Sequence, residues 1–468
     1  MHSRRTPPHT EAGAHAPTDP SGATHAQLGS ALFVDLYELT MAQSYCEMGL
    51  LAPATFALSV RRLPRDWGFL LAAGLPRALD VIEKLRFGAS DLEGLAGTGL
   101  FRQSFLAFLA ALRFSGSVRA VAEGCPLFAD EPLLEVTAPL PQAQILESVL
   151  LNAVQLPTLV ASKAHRCVHA AAGRGVVDFS MRRTHGVDAA HEAARSSFLA
   201  GMEATSNVEA GLRYGIPLVG TMAHSYVLAF ASEIAAFRAY AASFPNECVL
   251  LVDTYDTIEG VRNAIQVGLE MQARGEHLRG IRLDSGDLAP LSRRARAMLD
   301  AAGLSQVKIV ASGGLEEHSI AALVEASAAI DRFGVGTYVG VPVDSPTLDI
   351  VYKMVDYDGR PVAKRSPAKA TLPGRKQIHR LVQEGCATHD CVSLVTERRE
   401  GRALLEEVVR AGDRLREPVP LATSREHVAA WVQEIPAACR RLRSPQPYRV
   451  EESDDLAELR RQHGVADR

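Results

Sequence analysis

The feature that most constrains the fold is a series of short apolar segments, each ending in a polar residue at a nearly constant interval. Asp253, Asp284 and Ser312 follow three successive segments of this kind and lie 31 and 28 residues apart. About 30 residues is the length of one strand–helix unit, and the stretches between the segments have the apolar spacing of helices. The sequence therefore predicts an α/β unit with a parallel sheet or barrel, whose polar side chains gather at the carboxyl ends of its strands.

This unit is predicted to extend from residue 141 to residue 348. Its predicted strands are 176–179, 216–219, 248–252, 280–283, 307–310 and 329–333. Its predicted helices are 142–152, 158–172, 234–242, 258–271, 288–302 and 316–324.

The two ends of the chain have a different pattern. Residues 31–140 mix helices and strands without regular alternation, which indicates a separate α+β lobe. The turn Asp358-Gly359 predicts a β-hairpin of 349–357 with 361–364, and we expect 349–445 to pack on the N-terminal lobe. Residues 1–30 are interpreted as a disordered leader and 446–468 as a charged tail that is frayed from 451 onward.

Composition narrows the class of protein and of partner. The formal net charge of −4 gives no electrostatic reason to expect nucleic acid or an anionic membrane as partner. No apolar run is long enough to span a bilayer, and the first 30 residues lack the apolar core of a signal peptide. Seven scattered cysteines, an odd number, do not indicate a disulfide framework, so a reducing cytoplasm is expected.

The richest strand end is 280–288, where Arg282, Asp284 and Asp287 occur within six residues. The planar guanidinium of an Arg donates paired hydrogen bonds to phosphate oxygens. Carboxylates suit hydroxyl groups or a hard cation such as Mg²⁺. A capping role at the start of the next helix explains one of these residues but not the whole cluster.

Two other strand ends carry groups suited to binding or catalysis. Phe179 can stack on a planar ring while Arg182 and Arg183 hold an anion; an ordinary core Phe beside a solvated basic loop is equally compatible with the pattern. His224 follows 216–219, and a neutral imidazole there can act as a general base or as a nucleophile that accepts a phosphoryl group.

Glycine-rich turns follow the last two predicted strands, at 312–314 and 334–337. Exposed backbone N–H groups in such turns bind phosphate, and late barrel strands commonly carry the phosphate site. A zinc site at Cys386, His389 and Cys391 is disfavoured because three ligands this close together lack the usual paired spacing.

Together, these segments resemble the nicotinate phosphoribosyltransferases, which are type II phosphoribosyltransferases. The resemblance covers residues 31–380 and rests on six ordered motifs. The motifs lie at 35–41, 179–183, 204–207, 220–224, 282–287 and 333–337.

The resemblance implies an irregular α/β barrel with an additional α/β lobe built from both chain ends, in a homodimer. It implies an enzyme that joins nicotinate and phosphoribosyl pyrophosphate (PRPP) to give nicotinate mononucleotide and pyrophosphate. In the family this step belongs to NAD salvage and is coupled to ATP hydrolysis, with Mg²⁺ at the pyrophosphate.

The same resemblance implies roles for individual residues. His224 matches a histidine that ATP phosphorylates, and the pyridine ring is expected to lie between Phe179 and Tyr37 of a partner subunit. Arg182, Arg282 and Asp284 are expected to hold phosphates and ribose hydroxyls. The residues expected around the 5′-phosphate are Ser312, Gly313, Gly336 and Thr337.

Ser206 bears on the choice of substrate. The related nicotinamide-specific enzyme has an Asp at this position, which would repel the nicotinate carboxylate, so Ser206 favours nicotinate.

The alternative functions are a quinolinate-type or nicotinamide-type transferase, a catalytically silent barrel that binds nucleotides, and a metal-dependent aldolase or hydrolase barrel. Ser206 and His224 disfavour the quinolinate-type and nicotinamide-type transferases. The polar strand ends disfavour the silent barrel. The strand ends lack a Schiff-base Lys or a metal cluster, which disfavours an aldolase or hydrolase.

Overall fold

A computed structural model describes residues 30–366 and 369–466 of the chain. The strands are β1 Pro53–Val60, β2 Leu70–Leu71, β3 Ser117–Ala120, β4 Pro126–Leu127, β5 Pro132–Pro139, β6 Gly175–Asp178, β7 Val249–Leu251, β8 Gly280–Leu283, β9 Lys308–Ala311, β10 Arg332–Val335, β11 Ile350–Tyr357, β12 Arg360–Pro361, β13 Lys376–Gln383, β14 Cys386–Leu394, β15 Arg402–Ala403, β16 Glu406–Arg410, β17 Asp413–Arg414 and β18 Val450–Glu452. The helices are α1 Leu36–Glu47, α2 Leu75–Lys84, α3 Ala89–Gly97, α4 Gln103–Ala111, α5 Leu140–Ile145, α6 Glu147–Ala170, α7 Val187–Leu199, α8 Val208–Tyr214, α9 His224–Leu228, α10 Glu233–Ser243, α11 Thr257–Ala273, α12 Leu288–Ala301, α13 Glu317–Glu325, α14 Thr337–Gly340, α15 Leu421–Glu434 and α16 Asp454–Gln462, with a 3₁₀ turn at Met181–Arg183.

The central unit contains a parallel sheet with the order β6-β10-β9-β8-β7. Single parallel bridges from Asp178 to Thr205 and from Thr205 to Leu218 extend it beyond β6. Most residues of these strands are apolar and buried, as expected for strands that helices cover. The parallel direction places the carboxyl ends of all five strands at one edge, where the polar motifs lie.

The second sheet is built from both ends of the chain, in the order β12-β11-β1-β5-β3-β16-β17. The N-terminal strand β1 lies between β5 and the C-terminal strand β11, and both pairings are antiparallel. The α/β class and the lobe formed by both chain ends are therefore confirmed. A smaller sheet, β15-β13-β14-β18, is formed by the C-terminal region.

The smaller sheet contains a buried ion pair whose arginine also contacts the lobe. Arg380 of β13 and Asp390 of β14 are both fully buried, and Arg380 also donates to the carbonyl of Pro126. Removing either partner would leave an unpaired buried charge, which is strongly destabilising. The pair therefore holds β13 and β14 together, and the bond from Arg380 to the Pro126 carbonyl joins this sheet to β4 of the lobe.

Three sequence expectations are wrong. The predicted break between 152 and 158 is absent, because α6 runs through Pro157. Residues 216–219 contribute only a one-residue bridge, since Pro217 has no N–H to donate. The segment interpreted as frayed from 451 onward contains β18 and α16, and Leu456 of α16 is fully buried.

Helices α3, α7 and α8 were not predicted. Asn207 is a sequence signal for the start of α8, because its side chain accepts the N–H of Ala210 as an N-cap. The apolar periodicity alone did not reveal this helix.

The predicted leader, residues 1–30, lies outside the described residues except for Ser30. All seven cysteines are free thiols. Within 30–366 and 369–466, no helix has both the length and the hydropathy to cross a bilayer.

Candidate active site

Arg282, near the end of β8, is the centre of a polar cluster at the carboxyl edge of the parallel sheet. Its Nε donates to Ser312 Oγ at 2.7 Å, and its Nη2 donates to Asp284 Oδ1 at 2.7 Å. Its Nη1 lies 3.3 Å from Thr221 Oγ1. The side chain is only 14% exposed, so these bonds hold the guanidinium in one position while one side still faces the strand ends.

Asp284 joins neighbouring strand ends into one network. Its Oδ1 accepts from both Arg282 and Ser312, and its backbone N–H donates to Asp253 Oδ2 at 3.1 Å. Burial alone would raise the pKa of Asp284, but the Ser312 hydrogen bond and the Arg282 charge lower it below its ordinary value. The carboxylate is therefore ionised at neutral pH and available to hydroxyl groups.

His224 is the first residue of the short helix α9 and faces the same cluster. Its Nδ1 lies 3.1 Å from Thr254 Oγ1, and its Nε2 lies 3.9 Å from Asp284 Oδ2. The side chain is 43% exposed, so a ligand can reach the ring. A hydroxyl partner at Nδ1 fixes the orientation of the imidazole and leaves Nε2 on the side of Asp284.

Phe179 lies directly after β6, and the guanidinium of Arg282 sits 5.4 Å from the centre of its ring. Gly334 leaves room for that ring, because a Cβ at this position would meet Phe179 Cε2 at 2.4 Å. A Cβ at Gly336 would lie 2.9 Å from the carbonyl oxygen of Phe179. The second glycine-rich turn therefore packs against Phe179 and leaves one ring face toward Arg282.

Gly313 brings the first glycine-rich turn against β8. Its φ of +94° is in the left-handed region, and a Cβ would meet the carbonyl oxygen of Asp284 at 2.0 Å. Only glycine fits both the backbone conformation and the space. The backbone after Ser312 consequently passes directly over the end of the neighbouring strand.

Ser206 is half-buried, and its backbone N–H donates to the carbonyl of Asp178 at 2.9 Å. Asp178 is buried at the end of β6, where its two oxygens accept from the Ser180 N–H and the Thr205 hydroxyl. Burial raises the pKa of this carboxyl group. Asp178 thus fixes the backbone on both sides of the site, at 178–180 and at 205–206.

Three predicted residues are exposed and, in the part of the chain that the structure describes, make no hydrogen bond with this cluster. Arg182 is exposed in the 3₁₀ turn after Phe179, and Thr337 is exposed at the first position of α14. Tyr37 lies on α1 of the N-terminal lobe and is 45% exposed. Burial and the nearby charge of Glu147 raise the pKa of Tyr37, so its surroundings are lobe residues rather than the strand ends.

Sequence reasoning did not assign a role to three residues that contact the cluster. Thr221 and Thr254 provide hydroxyl partners for Arg282 and His224, and Asp253 accepts from both the Asp284 N–H and the Ser285 hydroxyl. Asp253 was recognised as a strand end from its spacing. The two threonines had no signal of their own, because their role depends on which strands are neighbours.

The oxygen donors at this edge fit a hard divalent cation. Asp253 Oδ1 is buried and has no hydrogen-bond partner among the described residues, and the ionised Asp284 belongs to the same network. Carboxylate oxygens with open coordination sites are what Mg²⁺ prefers.

Two other groups of potential metal ligands occur in the described residues. Cys386, His389 and Cys391 all lie on β14. Within the described residues, the only compact group of three potential ligands is Glu316, Glu317 and His318. Glu317 in that group is already bound by Lys163 and Arg166 in buried ion pairs.

Comparison with known proteins places this geometry in a family. Models of the N-terminal domain, the family domain and the C-terminal domain of nicotinate phosphoribosyltransferase match residues 32–155, 175–396 and 393–460. A nicotinate phosphoribosyltransferase of Mycobacterium tuberculosis is 48% identical over 374 residues, which cover 80% of each chain. One from Bacillus subtilis is 41% identical, over 76% of this chain and 74% of its own.

A solved structure gives the same result at the level of the fold. The crystal structure of human nicotinic acid phosphoribosyltransferase superposes with a TM-score of 0.82 at 29% identity, and the match covers 92% of this chain and 99% of the human one. From the three family models and these relatives, we conclude that the chain belongs to the nicotinate phosphoribosyltransferase family of enzymes.

Proposed function

We propose that the enzyme joins nicotinate to PRPP, that it couples this reaction to ATP hydrolysis through a phosphorylated His224, and that it serves NAD salvage in the cytoplasm. The observation that carries the proposal is the network of Arg282, Asp284 and Ser312 with His224 beside it. This network combines a fixed cation, an ionised carboxylate and a nucleophilic ring at one edge of the sheet.

In the transfer step, the ring nitrogen of nicotinate forms a bond to C1 of the ribose as the bond from C1 to pyrophosphate breaks. Negative charge moves onto the leaving pyrophosphate, and positive charge develops on the ribose. Arg282 and Arg182 are suited to the phosphates, and Asp284 to the ribose hydroxyls. Gly313, Gly336 and Thr337 would surround the 5′-phosphate together with Ser312, through backbone N–H and hydroxyl groups.

In the coupling step, a ring nitrogen of His224 attacks the γ-phosphorus of ATP, and ADP leaves. Water later cleaves the phosphoryl–nitrogen bond and releases phosphate. Thr254 orients the ring through Nδ1, and the exposed side of the ring accommodates the nucleotide. The phosphorylated ring would bring negative charge close to Arg282, which changes how the site binds PRPP.

Mg²⁺ fits the proposal as a bound cation. Asp253 and Asp284 would hold it, and it would neutralise the charge of the pyrophosphate group. One oxygen of Asp253 already orders the strand end through Asp284 and Ser285. The other oxygen, which is buried without a partner among the described residues, is available to the cation.

Ser206 supports nicotinate, rather than nicotinamide, as the preferred substrate. Its backbone is anchored to Asp178, and its hydroxyl can donate to a carboxylate. An acidic side chain at this position would instead repel the nicotinate carboxylate.

A homodimer would complete the site with Tyr37 of the second subunit. Tyr37 is exposed on α1 beside the exposed apolar residues Leu32, Phe33 and Leu36. Several exposed apolar side chains within six residues are compatible with a protein interface. Tyr37 would cover the face of the pyridine ring opposite Phe179.

The experiment is pyrophosphate release from PRPP and Mg²⁺ with nicotinate, nicotinamide or quinolinate, each with and without ATP. We expect release with nicotinate and stimulation by ATP. In His224→Ala, nicotinate-dependent release should persist without ATP stimulation. The matched control His277→Ala, an exposed histidine after α11, should retain the stimulation. ATP stimulation that survives in His224→Ala would refute the coupling role, and release with none of the three pyridine compounds would refute the proposed reaction.

A further inference from the structure

A cavity of about 450 Å³ lies between α2 of the N-terminal lobe and the helices α7 and α8. Its lining residues are different from those of the candidate active site. Its volume falls in the range of cavities that hold small molecules. It is therefore a separate space large enough for a metabolite.

The walls of this cavity are charged on both sides. Helices α2 and α7 each present residues three or four positions apart, which lie on one helical face. The charged wall residues on these two helices are Arg77, Asp80, Lys84, Asp188, Glu192 and Arg195. A direct ion pair crosses between the two helices here, from Arg77 to Glu192 at 2.8 Å.

Some of these charges are fixed and others are available to a ligand. Arg195 is held by two bonds to Glu123, at 2.8 and 2.7 Å. Lys84 is 69% exposed and lies 3.7 Å from Asp80, which Arg414 already binds at 2.6 Å. Arg213 of α8 packs over the ring of Tyr214 with its charge 5.3 Å from the ring centre. Lys84 and Arg213 are thus two cations that can turn toward an anion.

The remaining wall groups suit a ribose and a planar ring. Asp188 is an exposed carboxylate in the first turn of α7 and can accept from hydroxyl groups. Tyr214 is half-buried, and its ring offers a stacking surface when the Arg213 guanidinium turns from it toward an anion. Cations, a carboxylate and an aromatic ring around one space match the phosphate, sugar and base of a nucleotide.

We propose that this cavity binds a nucleoside monophosphate, with its phosphate at Lys84 and Arg213 and its base against Tyr214. The cavity is lined by two helices that begin close in sequence to residues of the candidate active site. Helix α7 begins five residues after Arg182, and α8 begins two residues after Ser206. A ligand that connects α2 to both helices would hold these two substrate-binding segments against the lobe.

The test is calorimetric titration of the full chain with adenosine monophosphate, inorganic phosphate and adenosine. The variant is Lys84→Ala with Arg213→Ala. Its matched control is Lys308→Ala with Arg262→Ala, which removes the same charges from exposed pairs on other elements. Arg282→Ala reports binding in the candidate active site instead.

We expect adenosine monophosphate to bind more tightly than phosphate or adenosine alone. The cavity variant should lose roughly tenfold or more in affinity, about 1.4 kcal/mol, while the control and Arg282→Ala retain it. Binding that Arg282→Ala abolishes and the cavity variant retains would overturn the proposal, as would no binding at millimolar ligand. The cavity variant keeps the strand-end cluster. Its nicotinate-dependent pyrophosphate release therefore tests the proposed function independently of nucleotide binding in the cavity.

Discussion

The replacement of Arg282 by lysine tests whether the geometry of the guanidinium, rather than its charge, makes the site work. Arg282 makes two short bonds, to Ser312 and to Asp284, and stacks on Phe179. A lysine nitrogen keeps the charge, but it can replace only one of these short bonds, because its single nitrogen cannot span both partners.

The expected loss follows from these contacts. One charged hydrogen bond contributes about 1.5–3 kcal/mol, and the cation–π contact contributes about 0.5–1 kcal/mol. Together, contacts worth about 2–4 kcal/mol that hold the guanidinium in position for the transition state should disappear in Arg282→Lys. This corresponds to a decrease of roughly 30-fold to 1,000-fold in kcat/KM.

The assay is the initial rate of nicotinate-dependent pyrophosphate release at varied PRPP, with the melting temperature measured in parallel. Arg262→Lys is the control, since Arg262 is exposed on α11 and pairs with Glu259 on the same helix. A kcat/KM within about threefold of the unmodified enzyme, at an unchanged melting temperature, would refute the reasoning.

Three further changes test other parts of the structure. Gly334→Ala should push the Phe179 ring aside and raise the KM for nicotinate roughly threefold to tenfold. The control is Gly94→Ala, because Gly94 has open space around it. Equal KM values for the two variants would contradict the role of the ring. Ser206→Asp should raise the KM for nicotinate roughly tenfold or more through charge repulsion, and an unchanged KM would exclude that role. Burial raises the pKa of Glu38 to about 7, above its value in the unfolded chain, so its ionisation should weaken the fold as pH rises from about 4.5 to 7. Urea unfolding should therefore show Glu38→Gln gaining roughly 2–3 kcal/mol relative to the unmodified chain between about pH 4 and pH 8, and a pH-independent difference would contradict the assignment.

The strand ends were the most predictable part of the molecule. The predicted strand 280–283 has the same bounds as β8, because a short apolar run between a glycine and a polar cluster leaves little choice. The spacing of Asp253, Asp284 and Ser312 correctly predicted neighbouring parallel strands, since each unit covers one strand and one helix. The contacts of Thr221 and Thr254 were not predictable, because they depend on the order and twist of the sheet.

Pro157 shows why local rules failed elsewhere. Proline normally ends a helix, because it removes one hydrogen bond and crowds the preceding turn. Here the helix is held from outside: Ser162 and Thr158 accept from the backbone N–H groups of Leu71 and Ala73. Tertiary contacts of this kind outweigh the local cost, and nothing in the sequence near Pro157 reveals them.

The way in which the lobe sheet is assembled has a consequence for synthesis on the ribosome. Strands β1, β5 and β3 are made early, but their outer neighbours β11 and β16 are made only after the whole parallel sheet. The nascent lobe consequently carries two unpaired sheet edges while about 200 further residues are translated, which at 5–20 residues per second takes roughly 10–40 s. During this interval the open edges can pair with other chains, and rapid completion of the C-terminal strands would remove that risk.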